Sequence, residues 1–563
     1  MKRTSSKTYL AIAFGILFVL ILFFGVRFLL KNYLLNIYYP TNQQVVAVFN
    51  VNGESKVLPP GSIICYNAVF KNTALWSDKS AFETALSNHD VLITVETWLK
   101  GSDYKRNVLN EVANGRFDKQ ISELGAVIAK SKKKVFIRWA PDMEVPTDVY
   151  PWQFKLPKDY IEAFNYFSKR IKQLAPKVQI VWGPSGYPGD TEYWPGNQMV
   201  DYASITLGSS SEKSVNYYPL AGSIPEMLKS KLHRLRFIDR PVLIMSDEEG
   251  LKTNFKPIWL TDQQSYHHKY INTVYSKNVY ADSAKIKPER TALKIGVYDP
   301  NKKLFNRPRI TVEHLFTDWG EVERGDFERN FLQVIDRHHE VIVTMEPWRD
   351  NSGITDTIVL ENILKGRYDK QIKKLFDIIS STKTIVYLRW MHEMEIPIHR
   401  YAWQSQDPVS YINAFRYFMQ FDGGPGINVK KVWGPAGDRG SVDFWPGDDV
   451  VDYISIAIYG LPDKNITDPE KQEAFSTIFN RKYYRMRFLD KPLFITEFGV
   501  KGSEAFQNKW LANAAKTINT NPHIFGICYF NLYDNPKAWG NIKAPDWSIT
   551  PKSMIKFCSL LNE

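Results

Sequence analysis

The sequence predicts an α/β protein made of two tandem (β/α)8 TIM-type barrels that follow one N-terminal transmembrane helix. Three observations lead to this prediction. The 563 residues suit two barrels, because one such barrel takes about 250 residues. Short apolar runs alternate with helical segments, which favours a parallel sheet. Sequence motifs also recur at one fixed spacing along the chain, as a duplicated domain requires.

An apolar segment near the N-terminus predicts the membrane helix. Thr8 to Val26 is an uninterrupted uncharged and mostly apolar run, and it is long enough to cross a hydrocarbon core of about 30 Å. Basic residues precede it. We therefore expect residues 1–7 to be a cytoplasmic tail and residues 8–30 a single-pass anchor in the cell membrane, with both barrels outside the cytoplasm. A cleaved signal peptide is the alternative, although no small-residue cleavage site follows the run.

The chain repeats itself with an offset of 251 residues. The segment from Gly115 to Ile121 returns as Gly366 to Ile372. The same offset relates three further pairs of motifs, namely Arg138-Trp139 and Arg389-Trp390, Val181-Trp182-Gly183-Pro184 and Val432-Trp433-Gly434-Pro435, and Trp194-Pro195-Gly196 and Trp445-Pro446-Gly447. The repeat predicts one barrel over residues 41–290 and a second over residues 291–563.

Apolar runs in the second copy predict its strands. They are Val341–Met345, Ile385–Leu388, Val429–Val432, Tyr453–Ile458, Leu493–Thr496 and Ile524–Phe530. Helices are predicted near Tyr368–Ile379 and Pro408–Met419. The size of the domain favours closure into a barrel over an open doubly wound sheet, and no glycine-rich dinucleotide loop follows the first strand.

Carboxylates follow several of these strands. Glu346, Glu393 and Glu497 each come at or just after the end of an apolar run, and the carboxyl ends of barrel strands meet at one face. Two carboxyl groups are what glycosidic cleavage needs, since one protonates the leaving oxygen and the other attacks or activates water. Many barrels place acidic residues there for metals or for structure, so the pair alone leaves those alternatives open.

The local motifs around two of these glutamates are more specific. Arg389-Trp390-Met391-His392-Glu393-Met394 resembles the acid/base strand of glycoside hydrolase family 26, and Ile495-Thr496-Glu497-Phe498-Gly499 resembles its nucleophile strand. The segment from Trp445 to Tyr459 resembles the region of that family that ends in a tyrosine near the nucleophile. The family contains β-mannanases and some β-glucanases and xylanases, and the resemblance covers residues 291–563.

The resemblance implies a role for each matching residue. Glu393 becomes the general acid/base, Glu497 the nucleophile, Tyr459 a hydrogen-bond partner of Glu497, and His392 a residue that orients the acid/base and the leaving group. A carboxyl pair about 5 to 5.5 Å apart would give retention of configuration. The structural alternatives are a buried salt bridge for Glu393, with Arg389 as its partner, and a helix N-cap or loop contact for Glu497.

Four tryptophans and one glutamate are candidates for substrate binding. Trp348, Trp403, Trp445 and Trp547 could stack on sugar rings, and Glu346 could contact the substrate. Core packing is the alternative for each tryptophan, because partners of three of them persist in the first copy, where the catalytic residues are missing. Glu346 likewise has a counterpart in Glu96.

The first copy lacks the catalytic residues. With the offset of 251, His392, Glu393, Tyr459 and Glu497 align with Pro141, Asp142, Gly208 and Ser246. A slip of one or two residues would bring the acidic cluster from Asp247 to Glu249 into register instead. The counterpart of the last strand is not evident, so we expect a degenerate and incomplete barrel that is either docked on the second copy or serves as a spacer and glycan-binding surface.

Composition excludes several other kinds of partner. The formal charge of +12 comes from Lys and Arg scattered among Asp and Glu, without a basic stripe, which argues against nucleic-acid binding. The three cysteines have no paired spacing, so no disulfide framework or zinc site is expected. No other metal and no organic cofactor is indicated.

Together these features predict a membrane-anchored retaining endo-β-glycanase that acts on a β-linked polysaccharide of β-mannan or β-glucan type. Its position suggests an exported exopolysaccharide as substrate, with polysaccharide synthesis or export machinery as a partner. One alternative is a non-catalytic carbohydrate-binding or scaffold protein of an export assembly, which the intact glutamate pair opposes. A transglycosylase is the other, because it would use the same two carboxylates.

Overall fold

The computed structural model describes residues 43–44, 63–76, 79–88, 90–147, 149–207, 224–238, 240–246, 292–348, 356–461, 472–536, 539 and 543–562. The predicted membrane anchor, residues 8–30, lies outside these ranges. Among the residues that are described, no helix has both the length and the apolar character needed to span a bilayer.

A parallel sheet forms the N-terminal half of the described chain. Its strands are β1 (Gln43–Gln44), β2 (Ile64–Lys71), β3 (Val91–Trp98), β4 (Val135–Trp139), β5 (Gln179–Trp182), β6 (Tyr202–Leu207) and β7 (Val242–Ser246). Their order across the sheet is β1-β7-β6-β5-β4-β3-β2. We call the described residues up to 246 the N-terminal half.

An eight-stranded parallel barrel forms the C-terminal half. Its strands are β8 (Lys294–Tyr298), β9 (Val312–Asp318), β10 (Glu340–Glu346), β11 (Val386–Trp390), β12 (Val429–Trp433), β13 (Tyr453–Ile454) with β14 (Ala457–Tyr459), β15 (Leu493–Gly499) and β16 (Ile524–Phe530). The short β13 and β14 together occupy one strand position, since both pair with β15. Pairing of β16 with β8 closes the barrel.

Helices separate the strands in both halves. The N-terminal half contains α1 (Lys79–Asn88), α2 (Val108–Ala113), α3 (Asp118–Ile128), α4 (Pro157–Leu174) and α5 (Ile224–Arg234). The barrel contains α6 (Trp319–Arg324), α7 (Asp326–Asp336), α8 (Val359–Leu364), α9 (Asp369–Ile379), α10 (Pro408–Gln420), α11 (Phe475–Arg485), α12 (Glu504–Thr520) and α13 (Pro551–Ser559).

The barrel strands are buried on both faces, which explains their apolar sequences. Every residue of β11 and of β15 is buried, as expected for strands with helices outside and a filled interior. A small cluster packs together apart from the main core and consists of Val312, Ile342, Tyr387, Val432, Phe494 and Cys528. These residues come from six strands of the barrel, so the barrel is a packed core with no open channel at this level.

The predicted strands and helices of the C-terminal half are confirmed, as is its closure into a barrel. For the N-terminal half the structure shows seven strands, with β1 next to β7 and β2 at the opposite edge of the sheet. The strand that would correspond to β16 falls at residues 273–279, outside the described residues. The closed first barrel therefore stays a prediction.

Candidate active site

The predicted catalytic residues lie at or near the carboxyl-terminal ends of several barrel strands. Glu497 is on β15, Tyr459 is the last residue of β14, and Glu346 is the last residue of β10. Glu393 follows β11 by three residues. Parallel strands bring these ends to one face of the barrel, where active sites of this fold are found.

A bulge in β15 directs the Glu497 side chain. Ile495 pairs with Ile527 and Phe498 pairs with Tyr529, so β15 advances three residues while β16 advances two. The extra residue breaks the alternation of inward and outward side chains. As a result the side chains of Thr496 and Glu497 both meet interior partners: Thr496 contacts the Ser455 hydroxyl at 2.5 Å, and Glu497 contacts an arginine and a tyrosine.

Glu497 is held by two donors in a nearly closed environment. Only 6% of the residue is exposed. The Arg389 guanidinium donates to Oε1, and the Tyr459 hydroxyl donates to Oε2 over 2.7 Å. Burial, then the Glu497 charge and this hydrogen bond, hold the pKa of Tyr459 well above its usual value, so the phenol stays protonated and continues to donate.

These contacts exclude a helix N-cap role for Glu497, whereas a salt bridge of Glu393 stays a prediction. Arg389 pairs with Glu497, whereas it was considered above as a partner for Glu393. Glu497 lies within a strand, which excludes a helix N-cap. Oriented donors on a buried strand-end carboxylate are what a nucleophile requires, because they fix its position and compensate its charge.

Glu393 lies in a strained segment that several hydrogen bonds hold in place. Met391 has φ 48 and Glu393 has φ 55, a left-handed conformation that is costly for residues other than glycine. The Glu393 amide donates to the Gly434 carbonyl over 2.8 Å. Gln404 Nε2 donates to the Glu393 carbonyl over 3.2 Å, and Trp403 Nε1 donates to the His392 carbonyl over 2.8 Å. Strain that the surroundings maintain in this way is common at active sites.

An arginine that the sequence analysis did not identify lies beside Glu393. Burial alone would lower the pKa of Arg400, but electrostatic interactions with Tyr401, Glu393 and Glu346 raise it. Its guanidinium lies 5.0 Å from the centre of the Tyr401 ring. Arg400 therefore brings a permanent positive charge to the mouth of the barrel, close to the proposed acid/base.

His392 and Glu346 form a buried pair. His392 Nε2 is 3.8 Å from Glu346 Oε1. Burial and the charge of Arg389 hold the pKa of His392 well below its usual value. Burial raises the pKa of Glu346 to about 8, so at neutral pH both groups are mostly uncharged. A neutral histidine can orient neighbouring groups but does not act as a cation at this site.

Glu346 gives a testable dependence of stability on pH. Between about pH 4.5 and 8 the unfolded chain releases the Glu346 proton whereas the folded chain keeps it, so the free energy of unfolding falls as the pH rises, by roughly 1.4 kcal/mol per pH unit. Glu346→Gln should remove this contribution. We expect chemical denaturation to show that the free energy of unfolding of Glu346→Gln falls less steeply with pH over that range than that of the unmodified chain. If the two plots of unfolding free energy against pH were parallel, the raised pKa of Glu346 would be contradicted.

Burial separates the four tryptophans from the surface. Trp403 and Trp445 have 0% exposure, so neither ring can stack on a sugar in this conformation, and the alternative of core packing fits them. Trp348 is buried against Tyr401, with ring centres 5.0 Å apart. Trp547 is buried 4.7 Å from the Tyr459 ring.

Trp348 and Trp547 therefore pack against Tyr401 and Tyr459 beside the candidate site. Trp547 Nε1 also donates to Asp534 Oδ2 over 3.3 Å. The charge of Asp534 contributes to the raised pKa of Tyr459, which places this carboxylate near the site, although sequence reasoning missed it.

The corresponding positions of the N-terminal half are arranged differently. Arg138 Nη2 lies 3.4 Å from Asp142 Oδ1, whereas the arginine at the same place in the barrel binds the strand-end glutamate. Pro141 precedes Asp142 and offers no side-chain hydrogen-bonding group. Ser246 ends β7, and Gly208 and the acidic cluster from Asp247 to Glu249 lie outside the described residues. No group of metal-binding side chains is found where the structure describes the chain.

No protein-family model matches the sequence, but individual proteins do. Endoglucanase H from Acetivibrio thermocellus is 25% identical over 225 residues, which are 38% of this chain and 24% of that protein. A β-1,3-xylanase from Alcaligenes sp. is 24% identical over 174 residues, 30% of this chain and 34% of that protein. The chain thus spans about a quarter to a third of the length of these curated relatives.

Solved structures also show a likeness. The Cellulomonas fimi endo-β-1,4-mannanase double mutant has 14% identity and a TM-score of 0.34, with 48% of this chain and 70% of that chain covered. GH26C from Muricauda sp. MAR_2010_75 has 12% identity and a TM-score of 0.36, with 48% of this chain and 86% of that chain covered.

Proposed function

We propose that this protein is a retaining endo-β-glycanase that hydrolyses a β-linked polysaccharide of β-mannan or β-glucan type. The observation that carries the proposal is the buried Glu497 carboxylate, which receives hydrogen bonds from Arg389 and Tyr459 at the same barrel face as Glu393. The names of the curated relatives, an endoglucanase and β-1,3-xylanases, support endo action on a β-glycan.

The two carboxyl groups divide the reaction between them. Glu393 donates its proton to the glycosidic oxygen while Glu497 attacks the anomeric carbon, so the leaving sugar departs and a covalent glycosyl-enzyme forms. Glu393, now a carboxylate, removes a proton from water. The water oxygen attacks the same carbon and releases Glu497, which gives net retention of configuration.

The experiment is a product assay on the full chain. β-Mannan, mixed-linkage glucan, xylan and an exopolysaccharide of the host are incubated with the protein, and proton NMR follows the anomer that forms first. We expect internal cleavage of one polymer with retained configuration. Inverted products would exclude the mechanism. Products longer than the substrate would indicate a transglycosylase, and glycan binding without turnover would indicate the scaffold protein.

We propose further that residues 41–290 and 291–563 are two copies of one domain and that only the second is catalytic. Local contacts recurring at the offset of 251 support this. Trp152 Nε1 donates to the Pro141 carbonyl over 2.7 Å, as Trp403 does to the His392 carbonyl. If the first copy is silent, a full chain that carries both Glu393→Ala and Glu497→Ala should cleave no substrate in the assay above.

We also propose that residues 8–30 anchor the chain in the cell membrane with both halves outside. The long uncharged run after a basic tail supports this. Such a position suits the processing of a polysaccharide as it leaves the cell. Protease added to intact spheroplasts should digest both halves, whereas their survival would reverse the topology.

A further inference from the structure

The surface between the two halves is built from corresponding segments of each. The turn Asp190–Tyr193 meets residues 484–488 of the barrel, and the turn Ser441–Phe444 meets residues 233–237 of the N-terminal half. Each main contact occurs twice, 251 residues apart, with the halves exchanging roles. Such reciprocity is the property of a self-complementary two-fold interface.

Residues of the N-terminal half bind the turn Ser441–Phe444 of the barrel. His233 Nε2 lies 2.7 Å from the Asp443 carbonyl. Arg234 Nε donates to Asp443 Oδ2 over 3.0 Å. Arg236, which is completely buried, donates from Nη2 to the carbonyls of Val442 and Asp443 over 2.6 and 3.1 Å. The turn that follows β12 is thus bound to the other half at its backbone and at its carboxylate.

Residues of the barrel hold the first turn in the same way. The Tyr484 hydroxyl donates to the Glu192 carbonyl over 2.7 Å. Arg485 Nε lies 3.3 Å from Glu192 Oε1. Arg487 Nη2 donates to the carbonyls of Thr191 and Glu192 over 2.7 and 3.4 Å. Each of these bonds is the counterpart of one described above.

Two phenylalanines locate the axis of this arrangement. Phe237 and Phe488 are themselves 251 residues apart, and their ring centres lie 5.9 Å from each other. A residue that contacts its own counterpart lies on or near the two-fold axis. The interface is therefore isologous in kind, although it lies within one chain.

The turn of the barrel also belongs to the neighbourhood of Glu393. The segment 434–443 begins at the Gly434 carbonyl, which accepts the Glu393 amide over 2.8 Å. The buried Glu395 carboxylate accepts the Ser441 hydroxyl over 2.8 Å. One side of this segment thus supports the strained backbone at Glu393, and the other side is bound to the N-terminal half.

One contact breaks the reciprocity and strengthens the hold on this segment. Arg439 donates to the Glu144 carbonyl over 3.2 Å and to the Tyr193 hydroxyl over 2.8 Å. Its guanidinium lies 4.3 Å from the centre of the Phe154 ring. The counterpart of Arg439 is Pro188, which cannot make such bonds. Only the turn beside the proposed acid/base has this additional anchor.

We propose that the N-terminal half is a positioning domain for the general acid/base, and that it acts through segment 434–443 on Glu393. The inference rests on the proposed function. A left-handed glutamate relaxes when its supports are removed, and a displacement of about 1 Å at a reacting group can cost about a hundredfold in rate. The silent half thereby acquires a role in catalysis without containing a catalytic residue.

The test compares two reciprocal variants of the full chain. Arg236→Ala removes two hydrogen bonds to the turn beside Glu393, and Arg487→Ala removes the two corresponding bonds to the turn of the N-terminal half. Both variants weaken the interface. We expect Arg236→Ala to lower kcat/KM on the polysaccharide about tenfold more than on an activated aryl glycoside, because only the polysaccharide needs its leaving oxygen protonated. Arg487→Ala should leave that ratio unchanged.

A milder pair keeps the test valid if burial makes Arg236→Ala fail to fold. His233→Phe and Tyr484→Phe each remove one hydrogen bond to a turn carbonyl, at Asp443 and Glu192. Hydrogen exchange gives a second readout that needs no activity. We expect faster exchange of the Glu393 amide in His233→Phe, and no change at Glu393 in Tyr484→Phe.

The outcomes separate this inference from the proposed function. Equal losses on both substrates in Arg236→Ala, or the same ratio in both reciprocal variants, would overturn the positioning role. The proposal that the unmodified chain hydrolyses its substrate with retained configuration would not be affected. If the unmodified chain cleaves nothing, the proposed function fails. Unchanged exchange at Glu393 in both His233→Phe and Arg236→Ala would then overturn the structural coupling as well.

Discussion

Replacing Glu497 by alanine should reduce turnover at least about a thousandfold on every substrate, because in the proposed mechanism Glu497 forms the covalent intermediate. The loss should be the same for polysaccharide and for activated aryl glycosides. Added azide or formate should restore part of the activity on an aryl glycoside and give a product of inverted configuration, since the small anion attacks from the side that the carboxylate has vacated. Steady-state rates and NMR of the rescued product measure both effects.

Tyr459→Phe is the matched control for this variant. It keeps the ring and its packing on Trp547 but removes the 2.7 Å hydrogen bond to Glu497. A hydrogen bond to a charged group is worth about 1.5–3 kcal/mol, which corresponds to a loss of about 10- to 100-fold. Azide should not rescue it, because the nucleophile is present. Rescue of Tyr459→Phe, or substantial activity in Glu497→Ala, would exclude Glu497 as the nucleophile.

The barrel and the placement of its strand-end groups could be predicted from the sequence because both follow from local pattern. Buried parallel strands read as apolar runs. The strand β16 matches its predicted run to the residue, and β15 begins as predicted but extends three residues further, to Gly499. The carboxyl ends of parallel strands converge, so Glu346 and Glu497 could be placed at one face without knowledge of side-chain positions.

The residues that contact the strand-end carboxylates could not be predicted, because these contacts depend on local irregularities and loop positions that the periodic pattern of the sequence does not indicate. The bulge in β15 inserts a single residue into the register. Arg400 belongs to a loop, and nothing in the sequence of that loop indicated that Arg400 would lie near Glu393. The aromatic content was visible, but the distinction between buried Trp445 and an exposed platform depends on packing in three dimensions.

The repeat by itself did not predict the contacts between the two halves. The offset of 251 predicts which residues are equivalent, yet equivalence does not say that they face each other. The pairs Arg236 with Val442 and Arg487 with Thr191 became recognisable as reciprocal only when both turns were placed in one structure. If, as proposed, the chain is duplicated and only the second copy is catalytic, two-fold contacts have persisted where the catalytic groups have not, since packing and catalysis place separate demands on sequence.

Replacing Glu393 by alanine should divide substrates according to their leaving groups. On the polysaccharide, whose leaving oxygen must be protonated, we expect a loss of about a hundredfold or more, within the usual range of 10²–10⁴ for general acid catalysis. The acidic phenol of an activated aryl glycoside leaves without being protonated, so the first step on this substrate should be nearly unaffected. The glycosyl-enzyme should then accumulate, and its formation should appear as a burst of released phenol. The burst follows because water attacks slowly when no base activates it, and azide should then give a product of retained configuration.

Burst kinetics on the aryl glycoside together with rates on the polysaccharide measure this difference. Glu340→Gln is the control, because Glu340 is a carboxylate at the opposite end of β10 from the site, where Lys294 and Tyr387 donate to it; it should affect both substrates alike. Equal losses on both substrates in Glu393→Ala, or an inverted azide product, would mean that Glu393 is not the acid/base.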